Sequence, residues 1–440
     1  MRNALGIGGS AIAGYDAIVT DTRTLAPSTL FVALSGERFD AHEFLAAARD
    51  AGATGAVVRR GTGEVEGLNL YEVPDTLHAL GDLAAAARDR CAGPVIGITG
   101  QNGKTSTKEM VAATLGTKWR VHRTRANDNN LVGVPLTILQ APADTEALVV
   151  EAGANLPGEI PRYREIIRPD IAVVLNAGAG HLEGFGSVER VIEEKLSLAK
   201  DVPLAIVGME PASLAPGARA LAKRVITAGL TGADMVPDAV LIGEDGRPVV
   251  SIDGRRFTLA ARGLHQAGNA MFAWAIAREL QLDLDAVAAA LEQFSVPGGR
   301  GELSQHDGLT VVNDSYNANP QSFATAIALA RELRPGRRLV FVAGSMRELG
   351  AHAPALHREV AGWLAELAPD VLALVGDFVP AFQEHHGRFA GTLLEAPDAV
   401  TMGPLLAAVL QGDELVVLKG SRGVTLERIL PAILPHAAKA

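Results

Sequence analysis

Short apolar runs alternate with amphipathic stretches along most of the chain. In the first 88 residues LFVAL, GAVVRR and LNLYEV predict strands, and HEFLAAARDAG and TLHALGDLAAAARDR predict helices. That suffices for a small N-terminal α/β domain. Near Cys91-Ala-Gly-Pro the pattern restarts. VIGITG, ALVVEAG and IAVVLNAGAG then predict strands joined by helical segments, which makes a mostly parallel sheet covered on both faces. From Val225 to Leu259 the runs AVLIG, PVVSID and RFTLA are split by DG turns, and an antiparallel patch is predicted there. Helices are expected at 267–280 and 284–292. A loop, SVPGGRGEL, leads into TVVNDSYNANP, and α/β alternation resumes with LVFVAG, VLALVG and ELVVLKG as strands. The pattern gives an α/β protein of three domains, at 1–88, 89–308 and 309–440, without an internal repeat.

Composition sharpens this picture in a few places. A chain of 440 residues exceeds one ordinary core. Aromatic residues are only 4%, so Ala, Val and Leu must fill the cores. The formal net charge of -10 implies no broad basic surface and argues against a general nucleic-acid binder. The single cysteine, Cys91, excludes an intrachain disulfide framework and a cysteine-rich metal site. The opening MRNALGIGGSAIAG is a poor signal peptide, and no apolar run reaches bilayer length, so a cytoplasmic enzyme is expected.

The first chemical signal is GITGQNGKTSTKEM, residues 97–110. An apolar strand runs into glycines and a lysine, then into a helix. A phosphate loop needs that context, because a helix start offers free backbone N–H groups. The match is the short form T-G-x-x-G-K-T from Thr99 to Thr105, since Ile98 stands where the longer pattern wants glycine. Gly100, Asn102, Gly103, Lys104, Thr105 and Ser106 are the nucleotide-binding candidates, with Thr105 able to ligate magnesium. The plainer alternative is a Gly-rich turn with a surface lysine.

Other candidates follow predicted strands. Glu151 in LVVEAGANLPGEI is a capping or salt-bridging residue if taken alone. Its place on the strand after the phosphate loop favours a magnesium ligand. His181 in NAGAGHLEGFGS could ligate a metal or position a phosphate oxygen. Lys195 lies on a predicted helix, where solvent contact is the ordinary role. NDSYNANP is too polar for a core strand. Arg300, Lys419, Ser421 and Arg422 sit among glycines, which permit close approach to a ligand; either cluster could equally be surface charge.

These pieces together resemble the Mur ligase family, the ATP-dependent amide-forming enzymes of peptidoglycan precursor synthesis. DTRTLAPSTLFVALSGERFDAHEF, TGQNGKTSTKEM, NDNNLVGVPLTIL, EAGANLPGEI, HLEGFGSVERVIEEK, NDSYNANPQS, MRELG and LKGSRG follow in family order over nearly the whole chain. YNANP, HLEGFGS and KGSR point to the branch that adds D-alanyl-D-alanine. The resemblance implies a UDP-substrate domain, a central ATPase domain and a C-terminal Rossmann-like domain that closes on the site. It assigns Thr22 and Arg23 to the UDP-sugar, with Asn127 and Asn130 as further substrate contacts. Lys104 and Thr105 fall on ATP phosphates and magnesium, and Glu151 and His181 on the metal pair. Lys195 is the position whose lysine is carbamylated in the family, and a carbamate is an anionic oxygen ligand. Asn269 matches an asparagine near adenine, Arg300 a nucleotide-contacting arginine and Asn317 a residue of the ATP-side loop. Lys419 and Arg422 are expected to act in the closed state, and Lys419 and Ser421 to contact the substrate.

The implied partners are ATP, Mg2+, UDP-N-acetylmuramoyl-tripeptide and D-alanyl-D-alanine, and a monomer is expected. Four positions depart from the family pattern: Leu156 where His is frequent, Gln266 for Asn, Asn313 for Asp and Ser345 for Asp. The rivals are a sister Mur or folylpolyglutamate-type ligase with another amine, and a non-catalytic nucleotide-binding switch.

Overall fold

The computed structural model describes residues 14–36, 39–296 and 298–434. Residues 1–13 of the opening MRNALGIGGSAIAG, Glu37 and Arg38 of GERFD, and Pro297 of SVPGGRGEL lie outside the described residues.

The N-terminal domain holds an all-parallel sheet of β1 (Ala17–Val19), β2 (Thr29–Val32), β3 (Ala53–Arg59) and β4 (Asn69–Val73), in that spatial order. Helix α1 (Thr76–Arg88) follows, N-capped by Asp75, whose side chain accepts the His78 N–H. Ala79, Leu80 and Leu83 of α1 join the core of this sheet.

The central sheet is six-stranded and parallel. Its strands are β5 (Val95–Thr99), β6 (Val121–Arg123), β7 (Ala147–Glu151), β8 (Ile171–Val174), β9 (Leu204–Val207) and β10 (Val225–Thr227). The order in space is β10-β9-β8-β5-β7-β6. β5, β7 and β8 are buried along their whole length, which is why they read as unbroken apolar runs. The helices that matter for the site are α2 (Lys104–Gly116), α3 (Gly133–Leu139), α4 (Glu159–Ile167), α5 (Val188–Leu196) and α6 (Leu264–Glu279).

The antiparallel patch is real but shorter than predicted. It comprises β11 (Ala239–Ile242), β12 (Pro248–Ile252) and β13 (Arg255–Thr258). Val225–Thr227 pairs in parallel with β9 and belongs to the large sheet. The strand is too short and too little alternating to declare its partner.

The C-terminal sheet runs β14-β15-β19-β16-β17-β18 in space. Its strands are β14 (Glu302–His306), β15 (Leu309–Asp314), β16 (Leu339–Gly344), β17 (Val371–Val375), β18 (Thr392–Ala396) and β19 (Leu415–Lys419). Only β14 is antiparallel to its neighbour. Because β14 pairs here, the sheet starts ahead of the expected residue 309. Helix α7 (Pro320–Leu333) leaves the NDSYNANP loop.

Two interfaces organise the domains. Helix α1 is shared by two cores: Val132, Leu136 and Leu139 around α3 pack on the α1 side of the N-terminal sheet, and Ala84 belongs to a central-domain core. Ion pairs Arg162–Asp82 (2.7 Å), Arg88–Asp170 (2.9 Å) and Arg168–Asp89 (2.6 Å) border it. The C-terminal domain instead meets the central one through polar loops at the carboxyl ends of the two large sheets and through a few apolar side chains, Leu356 against a central-domain core and Leu329 and Leu333 beside Gly246 and Gly263. Ligands bind at such ends in open α/β sheets. No helix among the described residues is long and apolar enough to cross a membrane.

Candidate active site

β5 ends at Thr99, whose hydroxyl donates to the Ala152 carbonyl (2.8 Å). The chain then turns into α2 through two glycines that cannot carry a side chain. A Cβ on Gly100 would lie 2.9 Å from Leu175 Cβ, and one on Gly103, at φ +81°, would lie 2.8 Å from Asn269 Oδ1. Asn176, just beyond β8, holds the turn. Its Oδ1 accepts the N–H groups of Gln101 (3.1 Å) and Asn102 (2.9 Å), and its Nδ2 donates to Asn102 O (3.2 Å). The first intrahelical bond of α2 is Thr107 N–H to Gly103 O, so the preceding N–H groups face the turn.

The Lys104 ammonium folds back over this turn and donates to Gly100 O (2.9 Å) and Gln101 O (3.2 Å). Both partners are neutral. Burial pushes the Lys104 pKa below the ordinary lysine value; the Glu151 charge opposes this and Arg300 adds to it. A cation so placed is short of negative charge, as a phosphate-binding lysine must be before its ligand arrives.

Thr105 and Glu151 come together. Both are buried, and the Thr105 hydroxyl lies 3.0 Å from Glu151 Oε2. Asn129 Nδ2 donates to Glu151 Oε1 (2.8 Å), and Lys108, with its side chain out of solvent, lies 3.8 Å from Oε2 while donating to Thr124 O (2.8 Å). Magnesium needs hard oxygens and is held by one or two carboxylates plus substrate phosphates and waters. A hydroxyl and a carboxylate beside a phosphate loop fit that demand. No group of three His, Cys, Asp or Glu suited to a metal occurs among the described residues, so the oxygens of bound phosphate would have to complete the shell.

His181 and Lys195 are placed differently. His181 caps the helix Leu182–Phe185 in a left-handed conformation (φ 54°). Its Nδ1 is 2.6 Å from Glu348 Oε2 of the C-terminal domain, an ion-pair distance bent away from hydrogen-bond alignment. The contact holds the Glu348 carboxyl below its ordinary pKa. Lys195, 1% exposed on α5, is no solvent-facing helix lysine. Burial, with the Lys104 charge nearby, pulls its pKa down to about 7 against the opposing pull of Glu194 and Glu159. Glu194 itself accepts the N–H groups of Gly158 (3.0 Å) and Ile160 (2.7 Å), fixing the start of α4.

Across the seam lie the C-terminal candidates. Lys419 is buried and donates to Asp314 Oδ2 (2.7 Å), its neighbour on β15, and to Asn317 O (2.9 Å). It therefore shapes the NDSYNANP loop. The Asn317 side chain accepts the Ala318 N–H (2.8 Å). The buried Ser421 hydroxyl accepts the Arg347 N–H (2.9 Å). Arg422 is exposed and paired with Glu427 (2.8 Å). Arg300 lies over the Tyr316 ring, 4.0 Å from its centroid, and its charge reaches Lys104. Asn269 donates to Gln266 Oε1 (3.1 Å), and Gln266 Nε2 reaches Ser106 Oγ at 3.5 Å. Asn102 bonds Asn319 and Gln321 of the C-terminal domain.

On the substrate side, Asp21 caps a short 3-10 helix, Thr22–Thr24, and grips the exposed Arg23 guanidinium (2.6 Å). Asn127 is exposed, whereas Asn130 spends its Oδ1 on the N–H groups of Val132 (3.0 Å) and Gly133 (2.8 Å) at the start of α3. Among the departures, Gln266 bridges Ser106 and Asn269, and Asn313 Oδ1 accepts from the Ser315 hydroxyl (2.6 Å). The Ser345 hydroxyl accepts the Asp377 N–H (2.8 Å), and Leu156 is 57% exposed. Sequence reasoning missed Asn129, Lys108, Asn176, Asn319, Gln321 and Glu348. Lys108 carried a local signal one helical turn beyond Lys104, and Asn129, Asn319 and Glu348 lie in quoted stretches (NDNNLVGVPLTIL, NDSYNANPQS, MRELG) that did not single them out.

Two family models match the chain: the Mur ligase middle domain over residues 98–277, and the Mur ligase, glutamate ligase domain over residues 299–422. The UDP-N-acetylmuramoyl-tripeptide--D-alanyl-D-alanine ligases of Bacillus subtilis (strain 168) and Escherichia coli (strain K12) are each 34% identical to it over 434 residues, covering 95% of this chain and 93% of theirs. Among solved structures, MurF from Acinetobacter baumannii superposes with a TM-score of 0.89 at 29% identity, over 99% of this chain and 97% of that one. The MurF ligase of Thermotoga maritima, solved in complex with ADP, superposes with a TM-score of 0.84 at 28% identity, over 96% and 98%.

Proposed function

The chain belongs to the Mur ligase family, and on that premise we propose that it joins D-alanyl-D-alanine to UDP-N-acetylmuramoyl-tripeptide at the expense of ATP. The products are the pentapeptide precursor of peptidoglycan, ADP and phosphate. One observation carries the reading. A phosphate loop presents a half-buried ammonium whose hydrogen-bond partners are both neutral, at the seam where the carboxyl-end loops of two α/β sheets meet.

A carboxylate is a poor electrophile and must be activated. Its oxygen attacks the γ-phosphorus of ATP, the bond from that phosphorus to the ADP oxygen breaks, and an acyl phosphate results. The amine of D-alanyl-D-alanine then attacks the acyl carbon, the carbon–oxygen bond to phosphate breaks, and the surplus amine proton is lost. In this reading Lys104 and the N–H groups at the start of α2 neutralise the transferring phosphoryl group. Asn269, Arg300 and Asn317 line the nucleotide side. Thr22, Arg23, Asn127 and Asn130 receive the UDP-substrate, with Arg23 exchanging Asp21 for a ligand anion. Lys419 and Ser421 hold the loops that receive the dipeptide, and Arg422 exchanges Glu427 for substrate.

Thr105 and Glu151 would hold one magnesium ion, and His181 with a modified Lys195 a second. Bound magnesium would supply charge neutralisation on the phosphate oxygens. Lys195 suits the modification. Its amine is half-neutral near pH 7 and can attack carbon dioxide, forming an N–C bond and releasing a proton. The Lys104 charge that disfavours an ammonium at Lys195 favours an anionic carbamate there. The reaction is proposed to run in the cytoplasm, on a monomer.

The test is phosphate release from ATP with the tripeptide present, with and without amine. Release should depend on D-alanyl-D-alanine and match the amide formed. Phosphate release indifferent to the amine would remove the ligase assignment.

A further inference from the structure

The asparagine in the middle of the phosphate loop touches the C-terminal domain. Asn102 Nδ2 donates to Gln321 Oε1 (2.8 Å) and to Asn319 Oδ1 (3.3 Å), and Asn319 Nδ2 donates back to Asn102 Oδ1 (2.8 Å). Asn319 is 3% exposed and N-caps α7, accepting the Ser322 N–H (2.8 Å) in a capping box. Gln321 continues across the seam, donating through Nε2 to Glu210 Oε2 (3.1 Å), past the carboxyl end of β9. On the other side, Asn176 grips the Asn102 backbone through both its N–H and its carbonyl. The start of α7 is therefore strapped to two central-domain segments, and one of them is the loop that would carry the phosphates.

We infer that Asn102, Asn319 and Gln321 form a latch that makes the setting of the phosphate loop and the seating of the C-terminal domain a single event. The consequence is chemical. An acyl phosphate is lost to water if the site opens before the amine arrives: water adds at the acyl carbon, the bond to phosphate breaks, and tripeptide and phosphate are released. The net result is ATP hydrolysis without amide. Closing an active site excludes this side reaction. Gln321 and Asn319 are then positioning residues that keep phosphate release tied to amide formation. Gln321 is the cleaner one to remove, since it caps no helix and lies outside the nucleotide loop.

The inference rests on the ligase reading, and its test keeps the two apart. The full chain is given ATP, magnesium, the tripeptide and D-alanyl-D-alanine, and phosphate and amide are counted together. Wild type should release about one phosphate per amide, as coupled transfer demands. Gln321→Ala and the isosteric Gln321→Met should raise that ratio at least about three-fold, with the surplus requiring the tripeptide. Glu210→Ala cuts the far end of the same strut from the surface and should raise it by about half as much, which keeps the test available if α7 tolerates no change. If the ratio stays at one in all folded variants while kcat falls, the contacts are merely structural and the latch is refuted. Surplus phosphate without tripeptide also refutes it, because that is plain ATP hydrolysis. A wild type that forms no amide refutes the ligase reading instead.

Discussion

Replacing Lys104 by methionine keeps the bulk of the side chain and removes its charge. Two consequences can be sized. For catalysis, a unit charge about 4 Å from a developing charge is worth roughly 4 kcal/mol at the effective dielectric of about 20 that suits protein sites. Loss of one preorganised donor in other enzymes costs about 2.7–4 kcal/mol, or roughly 10²–10³ in kcat. Lys104→Met should therefore lower kcat about a thousand-fold at saturating ATP. For stability the expectation is opposite. Two hydrogen bonds to Gly100 O and Gln101 O are lost, at about 1 kcal/mol each. The variant also escapes the burial of a cation that lacks a carboxylate in contact, the same effect that depresses the lysine pKa. The terms oppose, so the net change should stay within about 1 kcal/mol, a shift of only a few degrees in Tm. Steady-state phosphate release and thermal unfolding decide the matter together. A variant within about five-fold of wild type removes Lys104 from phosphoryl transfer. A large drop in Tm that parallels the lost activity would show a structural lysine instead.

Lys195→Ala should lose most activity, and acetate or formate should partly restore it in proportion to concentration at fixed ionic strength, which separates rescue from screening. Independently of activity, labelled bicarbonate should give a carbamate carbon signal in wild type alone; because the folded-state pKa is depressed to about 7, the neutral amine and hence the signal should grow as pH rises through that value. Offered competing amines, the enzyme should prefer D-alanyl-D-alanine over a single amino acid by about 10⁴, since donors built for the second carboxylate are left unpaired without it; mass spectrometry of the product reads this, and equal use moves the chain to a sister branch. Glu414→Ala should destabilise the C-terminal domain by about 3 kcal/mol, because the fully buried carboxylate accepts Gln411 N–H (2.6 Å), Gly412 N–H (2.9 Å) and Arg338 (2.7 Å). Burial pushes the carboxyl pKa up, but these partners together outweigh it and hold it below the ordinary value, so the contribution is present at neutral pH and is lost as pH falls through the depressed value; urea titrations of variant and wild type should converge in acid.

What could be read from the sequence was local. The phosphate loop is a contiguous strand, turn and helix, and Gly100, Gly103 and Lys104 announce it within a few residues. The buried strands announced themselves as apolar runs. What could not be read depends on partners far along the chain. Asn319 is an ordinary helix cap until Asn102, 217 positions earlier, is brought against it. Asn176 and Asn129 look like loop residues, yet they hold the phosphate turn and Glu151. Charge alone was also ambiguous. Lys419, Arg422 and Arg23 all looked available to a ligand, but Lys419 braces its own loop through Asp314, while Arg422 and Arg23 sit on nearby carboxylates. Lys195 was ambiguous in the other direction, singled out by the family resemblance but not by its own pattern. A helical pattern alone leaves it to solvent, and packing reveals a buried amine whose charge is disfavoured.

Helix α1 also decides how the molecule comes apart. Its apolar residues are divided between two cores, and Asp82 within it and Asp89 just past its end are held by arginines of the central domain. Unfolding the N-terminal sheet would strip α1 from α3 and α4 as well, so the first two domains should melt as one cooperative unit. The C-terminal domain is joined to that unit by polar loops and only a few apolar side chains such as Leu356, and so thin a seam gives way early. A protease acting on the partly opened protein should then leave two fragments rather than three, with the cut between the end of the helix Leu284–Gln293 and β14. Three domains, by this account, make two foldons.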